Sequence, residues 1–223
     1  MNTVLPPVKA VLFDLDGTLL DSAPELAAAA NRMLSHRCLS ERPIADYRPY
    51  AGSGARGMLR VALDMAPDHP EYEAHKDEFL HAYEAVLLNT KAFMGVPPVL
   101  DRLGMTGLPW GIVTNKVERL ALPLIEATPA LAGACVVVCG DTTPHAKPHP
   151  APLLEAARRL RLSPTECVYV GDDERDIVAG RAAGMYTVAA LYGYLGPQAQ
   201  PHTWGANADI LCPLDLLVML GLN

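Results

Sequence analysis

The chain has 223 residues, of which 50% are hydrophobic, and its formal net charge is −7. This size allows one large domain, or a core domain with a small insertion. The acidic balance argues against non-specific binding of nucleic acid, although a local cation or metal can still attract an anionic substrate. Because no apolar run is long enough to span a bilayer, we expect no membrane partner.

The first residues and the cysteines indicate the cellular compartment that we expect for this protein. The first seven residues lack the basic region and long apolar stretch of a signal peptide, so we expect a cytoplasmic protein. The cysteines are odd in number and irregularly spaced, without the paired ligands typical of zinc sites. We expect five reduced thiols, at Cys38, Cys135, Cys139, Cys167 and Cys212.

The first apolar segment carries the most information. Ala10–Phe13 has the character of a buried strand, and Asp14 and Asp16 follow it, before a Gly-Thr turn. Residues two apart share one face of a strand, which makes these carboxylates neighbours at the mouth of a sheet. Such a pair needs a shared proton or a divalent cation, and it suits covalent catalysis. The alternative is a strand end with an N-capping aspartate.

Residues 21–90 lack convincing strands. Helical patterns occur at Ala23–Arg37, Ala55–Ala66 and Glu71–Leu88. An all-helical insertion here would lie over the strand ends as a lid, with candidate hinges near Leu20–Asp21 and Lys91–Gly95. A GxGxxG spacing begins at residue 52 within it, but no apolar strand precedes that spacing, so we reject dinucleotide binding.

After the insertion, short apolar strands alternate with helices. The predicted strands are Trp110–Thr114, Val136–Cys139, Cys167–Val170, Thr187–Ala190 and Asp209–Leu211. The predicted helices between them include Pro152–Leu160 and Asp176–Ala183. This alternation predicts an α/β fold, a Rossmann-like parallel sheet flanked by helices, with ligands bound beyond the carboxyl ends of its strands.

Polar motifs follow three of these later strands. Thr114 and Asn115 can hold a phosphate oxygen with a hydroxyl and a backbone amide, although a threonine there can also cap a helix. Lys147, restricted by the following proline, can neutralise a phosphate and a carboxylate, or can be an exposed loop lysine. Asp172 suits Mg²⁺, whereas Asp173 can equally be a solvated charge at a helix start.

In order and spacing, these motifs resemble those of the haloacid dehalogenase-like (HAD) phosphohydrolases, over essentially the whole chain. The resemblance implies that Asp14 is the nucleophile and Asp16 the general acid and base. It also implies that Thr114, Asn115 and Lys147 bind the transferring phosphoryl group.

The resemblance further implies a Mg²⁺ ion, held by the Asp14 carboxylate, the Asp16 carbonyl and Asp172. Asp173 and Asp176 would lie next to the metal-binding residues without holding the ion themselves, and Asp176 would orient Lys147 or metal-bound water.

The family's architecture implies two domains here. Residues 1–20 and 91–223 would form the catalytic core, and residues 21–90 an all-helical C1 cap. In the family, a glycine-containing cap loop faces the core and helps to choose the substrate, which makes Ser53 and Arg56 candidates for specificity. The alternative is a loop before a helix, with Arg56 exposed.

Further segments resemble phosphoglycolate phosphatases, namely Val113–Lys116, Lys147–Pro150, Gly180–Gly184 and Tyr192–Tyr194. The tail His202–Asp209 also resembles bacterial N-acetylmuramic acid 6-phosphate phosphatases. A haloacid dehalogenase would lack Asp16, and a non-catalytic binding module would be expected to have lost a motif.

The resemblance therefore predicts a Mg²⁺-dependent phosphomonoester hydrolase acting through an aspartyl-phosphate, with 2-phosphoglycolate as the first candidate substrate. The alternatives are an N-acetylmuramic acid 6-phosphate phosphatase of cell-wall recycling and a β-phosphoglucomutase-like phosphotransferase. We expect a small phosphorylated metabolite as the partner, and a monomer or homodimer.

Overall fold

The computed structural model describes residues 8–222, so the first seven residues, on which the signal-peptide prediction rests, lie outside it. The strands are β1 (Ala10–Phe13), β2 (Leu20–Asp21), β3 (Lys91–Ala92), β4 (Trp110–Val113), β5 (Val136–Val138), β6 (Cys167–Gly171), β7 (Tyr186–Ala190) and β8 (Ala208–Ile210). The helices are α1 (Ala23–His36), α2 (Ile44–Tyr47), α3 (Gly54–Leu63), α4 (Tyr72–Glu84), α5 (Val96–Met105), α6 (Glu118–Glu126), α7 (Ala151–Leu160), α8 (Glu174–Ala183) and α9 (Asp215–Leu220).

Six of the strands form one parallel sheet, in the order β5-β4-β1-β6-β7-β8. The predicted Rossmann-like α/β fold is therefore confirmed, and each predicted strand agrees with an observed one to within one residue at each end. In the register, Phe13 of β1 lies beside Ile112 of β4 and Val170 of β6. The residues that follow these three strands consequently meet at one edge of the sheet.

The side chains of β1 alternate between two apolar layers, which explains its fully buried sequence. Val11 and Phe13 belong to a large cluster that includes apolar residues of α5 and α6. Ala10 and Leu12 face the other side and belong to a cluster with apolar residues of α7 and α8. Helices thus cover both faces of the sheet, as parallel strands require.

The helices α1 to α4 lie between β2 and β3, and α1 packs against α3 and α4. β2 and β3 pair in antiparallel fashion, with Leu20 opposite Ala92 and Asp21 opposite Lys91. The predicted hinge positions therefore include a two-stranded ribbon that the sequence pattern did not reveal, because two-residue strands have no periodicity. The division of the chain into a core and a cap domain remains a prediction.

The helix ends in this segment differ from the predicted ones for local reasons. The helix predicted over Ala55–Ala66 ends at Leu63, where Asp64 takes a left-handed backbone conformation that closes the helix. The helix predicted over Glu71–Leu88 ends at Glu84 and is followed by a separate 3₁₀ turn, Leu87–Asn89. The four-residue helix α2 was too short to predict from periodicity.

The structure also bears on the cysteines and on membranes. All five cysteines carry free thiols, as predicted. Within residues 8–222, no helix combines the length and the apolar character that crossing a membrane requires.

Candidate active site

Asp14, Thr114 and Asp172 come directly after the neighbouring strands β1, β4 and β6, and all three are buried. Lys147 reaches them from the loop between β5 and α7, and it is buried too. The structure thus brings together the four residues that the sequence motifs singled out at strand ends and in this loop. The site lies beyond the carboxyl ends of the strands, where ligands bind in parallel α/β sheets.

The ammonium of Lys147 is surrounded by oxygen atoms. Four oxygen atoms lie within hydrogen-bond distance of its Nζ: Oδ1 of Asp14 at 2.8 Å, Oδ1 of Asp176 at 2.7 Å, the hydroxyl of Tyr169 at 2.7 Å and the carbonyl of Val113 at 2.9 Å. Burial alone would lower the pKa of Lys147, but the two carboxylates outweigh it and raise that pKa. The site therefore contains a fixed positive charge beside Asp14.

Asn115 fixes the main chain that carries this lysine. Its Nδ2 donates to the carbonyl of Lys147 at 2.9 Å, and its Oδ1 accepts the main-chain N–H of Lys147 at 2.9 Å. With the side chain used in this way, the group of Asn115 suited to a phosphate is its main-chain N–H. Oγ1 of Thr114 accepts the N–H of Lys116 at 3.1 Å, so its hydroxyl proton can point to a ligand.

Three carboxylates meet here, because one oxygen from each of Asp14, Asp172 and Asp176 lies within 4.8 Å of the others. Burial, with the charge of Asp176 adding to it, raises the pKa of Asp14 from 3.8 to about 7 although Lys147 opposes the rise. Burial and the charges of the other two carboxylates likewise raise the pKa of Asp172. Hard oxygen ligands with this excess of negative charge fit a divalent cation such as Mg²⁺.

Asp172 is held in place by the surrounding loops. Its Oδ1 accepts the hydroxyl of Thr18 at 2.8 Å, and its Oδ2 accepts the main-chain N–H of Tyr194 at 2.8 Å. Gly17 has a φ of 93°, and a Cβ there would overlap the carboxylate of Asp172. Position 17 therefore requires glycine for two reasons, its positive φ and the absence of space for a side chain beside Asp172.

The carboxylate of Asp16 lies outside the three-carboxylate group. Nζ of Lys116 donates to its two oxygens at 2.8 and 3.1 Å, and also to the hydroxyl of Tyr83 at 3.0 Å. Burial raises the pKa of Tyr83 to about 12, so its phenol stays neutral. Sequence reasoning missed Lys116 and Tyr83; the only signal was a lysine directly after Thr-Asn at a strand end.

Asp173 and Asp176 form a capping box at the start of α8. Oδ1 of Asp173 accepts the N–H of Arg175 at 2.9 Å, and Oδ2 of Asp176 accepts the N–H of Asp173 at 3.1 Å. Burial would raise the pKa of Asp173, but the Arg175 guanidinium outweighs it and lowers that pKa. Asp176 contacts Lys147, whereas Asp173 contacts Arg175; the supporting roles of both aspartates stay predictions.

A cavity of about 350 Å³ lies over these residues. The sheet edge gives it a polar floor, whereas the helical segment contributes apolar side chains, among them Leu26, Phe79 and Leu80. Ser53 lines this cavity, but Arg56 is exposed and is not among the lining residues. Of the two predicted specificity residues, only Ser53 therefore lies at the cavity, and the roles of both stay predictions. The GxGxxG segment forms a 3₁₀ turn and the start of α3.

The chain is similar in sequence and in fold to known proteins. A sequence model of the family described as haloacid dehalogenase-like hydrolase matches residues 11–190. A phosphoglycolate phosphatase of Xanthomonas campestris pv. campestris is 51% identical over 210 residues, covering 93% of this chain and 94% of its own. An N-acetylmuramic acid 6-phosphate phosphatase of Pseudomonas putida is 39% identical over 210 residues, covering 94% of each chain. The crystal structure of a predicted phosphoglycolate phosphatase from Haemophilus somnus superposes with a TM-score of 0.83 at 27% identity, covering 96% of this chain and 98% of that one.

Proposed function

The chain belongs to the haloacid dehalogenase-like hydrolases, and we propose that it is a Mg²⁺-dependent phosphomonoester hydrolase with Asp14 as its nucleophile. The observation that carries the proposal is the contact of 2.8 Å between Lys147 Nζ and Asp14 Oδ1 at the end of the central strand. A carboxylate fixed by a buried ammonium at the floor of a cavity is placed to attack an anionic phosphate that the same ammonium attracts.

The reaction proceeds in two displacements. In the first, a carboxylate oxygen of Asp14 forms a bond to phosphorus and the bond from phosphorus to the leaving oxygen breaks, while protonated Asp16 gives its proton to that oxygen. In the second, Asp16 takes a proton from water, whose oxygen bonds to phosphorus as the bond to Asp14 breaks. Inorganic phosphate leaves, and both aspartates return to their starting forms.

The phosphoryl oxygens bind to groups that are already in place. The hydroxyl of Thr114, the main-chain N–H of Asn115 and the ammonium of Lys147 supply donors around one point of the sheet edge. Asp176 contacts Lys147 at 2.7 Å and so limits its movement. Donors that need no rearrangement stabilise developing charge more than mobile ones do.

The donor set also fits Mg²⁺. The carboxylates of Asp14 and Asp172 would hold the ion together with the carbonyl of Asp16, and Asp176 supplies the third carboxylate of the group. When bound, the ion offsets the negative charges of these carboxylates and of the phosphate, so that two anions can approach each other.

The helices of residues 21–90 are proposed to act as a cap that selects the substrate. Supporting this, Phe79, Leu80 and Ser53 of this segment line the cavity above the phosphate-binding groups. The phosphoryl group is common to all phosphate esters, so discrimination requires contacts with the leaving group, which the cap side of the cavity can supply. The expected partner is a small phosphorylated metabolite; the cytoplasmic location and the monomeric or dimeric state stay predictions.

The first candidate substrate is 2-phosphoglycolate, on the strength of the Xanthomonas relative. The second is N-acetylmuramic acid 6-phosphate. The Pseudomonas relative supports it, and so does the apolar wall of Leu26, Phe79 and Leu80, which suits a leaving group larger than glycolate with methyl groups to bury.

Phosphate release tests the proposal. We would compare kcat/KM for 2-phosphoglycolate, N-acetylmuramic acid 6-phosphate, hexose phosphates and nucleotides, with Mg²⁺ and with excess chelator. We expect Mg²⁺-dependent release from at least one ester and a clear preference among them. A folded protein that hydrolyses none of them with Mg²⁺, or that keeps full activity in chelator, would contradict the proposal.

A further inference from the structure

Asp16 is held apart from the other carboxylates of the site. Lys147 contacts Asp14 and Asp176, whereas the carboxylate of Asp16 contacts Lys116 and, within residues 8–222, no other side chain by hydrogen bond or ion pair. The two lysines therefore serve different carboxylates. Asp16, the proposed acid and base, and Asp14, the proposed nucleophile, are thus each paired with a different lysine.

Lys116 is well enclosed, with its side chain only 7% exposed. Its ammonium lies between the Asp16 carboxylate and the hydroxyl of Tyr83, 4.9 Å from the centre of the Tyr83 ring. Breaking an ion pair that is shielded from water is unfavourable, because it leaves an uncompensated charge. The ion pair with Lys116 therefore restricts the orientations open to the Asp16 side chain.

Tyr83, the second partner of Lys116, belongs to the helical segment of residues 21–90. Tyr83 lies on α4, is buried and stacks on Phe79, with ring centres 6.1 Å apart and planes 8° from parallel. Lys116 follows β4 in the sheet. The chain of contacts from Asp16 through Lys116 to Tyr83 thus crosses from the sheet edge to the helices above the cavity.

We propose that Lys116 is a positioning residue for Asp16, and that Tyr83 makes this positioning depend on the packing of α4 against the sheet. The inference rests on the proposed function, in which Asp16 moves the protons. Because Lys116 donates to both carboxylate oxygens, it can keep one while the other turns to the leaving oxygen or to water. Proton transfer requires hydrogen-bond reach of about 2.6–3.2 Å, and a displacement of about 1 Å can cost about 10²-fold in rate.

The test is a double-mutant cycle between Lys116→Met and Asp16→Asn. Single-turnover release of the alcohol isolates the first displacement, and it is measured for an alkyl phosphate and for an aryl phosphate. We expect Lys116→Met to slow the alkyl ester about 10- to 100-fold and the aryl ester much less, because an aryl leaving group needs little protonation. In the Asp16→Asn background, Lys116→Met should cause no further loss.

Three outcomes would overturn the inference. They are equal losses for the alkyl and aryl esters, losses in the double variant that equal the product of the two single losses, and a rise in KM with unchanged kcat. The last outcome would make Lys116 a substrate-binding residue. If Asp16→Asn alone slows both esters equally, Asp16 is not the general acid and the proposed function is contradicted. If Asp16→Asn discriminates between the esters but Lys116→Met does not, only the role of Lys116 is contradicted.

Two further variants complete the test. The first, Tyr83→Phe, keeps it decisive if Lys116→Met does not fold, and the second is a control. Tyr83→Phe removes one hydroxyl and retains the ring stacked on Phe79; it should show the same preference for slowing the alkyl ester, with a smaller loss. Lys9→Met is the matched control, because Lys9 is an exposed lysine paired with Glu166 at the start of β1. Melting temperatures with and without Mg²⁺ establish that each variant is folded.

Discussion

The guanidinium of Arg175 donates a hydrogen bond of 2.6 Å to the main-chain carbonyl of Gly52. Arg175 lies in the first turn of α8, at the sheet edge, whereas Gly52 belongs to the 3₁₀ turn before α3 in the helical segment. Asp173 fixes the guanidinium with contacts of 2.7 and 2.9 Å. A charge-assisted contact therefore ties the loop that carries Ser53 to the catalytic edge of the sheet.

This contact lies between two cavities. The cavity of about 350 Å³ above Asp14 and a second one of about 490 Å³ both include Gly52, Ser53 and Asp173 in their walls. Fixing the loop therefore sets one boundary of the space open to a leaving group.

We expect Arg175→Lys to raise KM for the preferred ester about tenfold with little change in kcat. A lysine retains the charge but cannot contact Asp173 and Gly52 together, and a hydrogen bond to a charged group is worth about 1.5–3 kcal/mol. Steady-state kinetics would measure the change. Arg159→Lys on α7, which pairs with Glu155 at the surface, is the control. Unchanged KM, or a collapse of kcat alone, would contradict this role.

The role of Asp14 leads to a direct prediction. Asp14→Asn should abolish nearly all turnover while the fold persists, because an amide of the same size can still accept from Lys147 but cannot attack phosphorus. Acid-quenched samples analysed by mass spectrometry should show a phosphorylated wild-type protein and an unmodified variant. Near-normal turnover in the variant would rule out the covalent mechanism.

The contribution of Asp14 to the stability of the metal-free protein should fall as pH rises from about 4 to 7. Burial, the largest cause, raises the pKa of Asp14 from 3.8 to about 7. At this site the folded protein then binds more protons than the unfolded chain, so the contribution of Asp14 to the free energy of unfolding falls as pH rises, by an amount on the order of a few kcal/mol. Above pH 7 this stabilising contribution of Asp14 is lost.

Mg²⁺ should therefore raise the melting temperature more at pH 8 than at pH 5.5, because bound carboxylates must be ionised. Melting curves in chelator and in Mg²⁺ at both pH values measure this. Asp14→Asn serves as the control and should show a flatter pH dependence in chelator. Identical slopes for the two proteins would show that Asp14 does not titrate in this range.

Much of the site could be predicted because its residues follow buried parallel strands. Such strands are continuous apolar runs, and the polar residue after each run, such as Asp14 or Asp172, is visible in the sequence. Their meeting at one edge follows from the parallel direction of the strands, which the alternation of strands and helices predicts.

Other features depend on tertiary packing and have no local pattern. Lys116 is 33 residues from Tyr83, and Arg175 is 123 residues from Gly52. These contacts arise from the placement of the helices of residues 21–90 on the sheet, which hydrophobic periodicity does not determine. The same reason explains why Ser53 and Arg56, although close in sequence, differ in exposure.

The loop at the start of α3 allows the last prediction. Ser53 lines the cavity, and Arg56 is exposed to solvent. We expect Ser53→Ala to lower kcat/KM about tenfold for the preferred ester, because a polar group of the leaving portion loses a partner in an enclosed site, and to leave a small aryl phosphate nearly unchanged. Arg56→Ala should change kcat/KM by about twofold or less, as expected for a solvated surface residue.

Both variants are compared on the preferred ester and on the aryl phosphate, so that each acts as the control for the other. A larger and ester-selective loss in Arg56→Ala would contradict this expectation. It would mean that the guanidinium moves over the cavity when substrate binds, and it would support the sequence-based prediction of Arg56 as a specificity residue. An equal loss for both esters in Ser53→Ala would instead place the effect of Ser53 on the phosphoryl group that all substrates share.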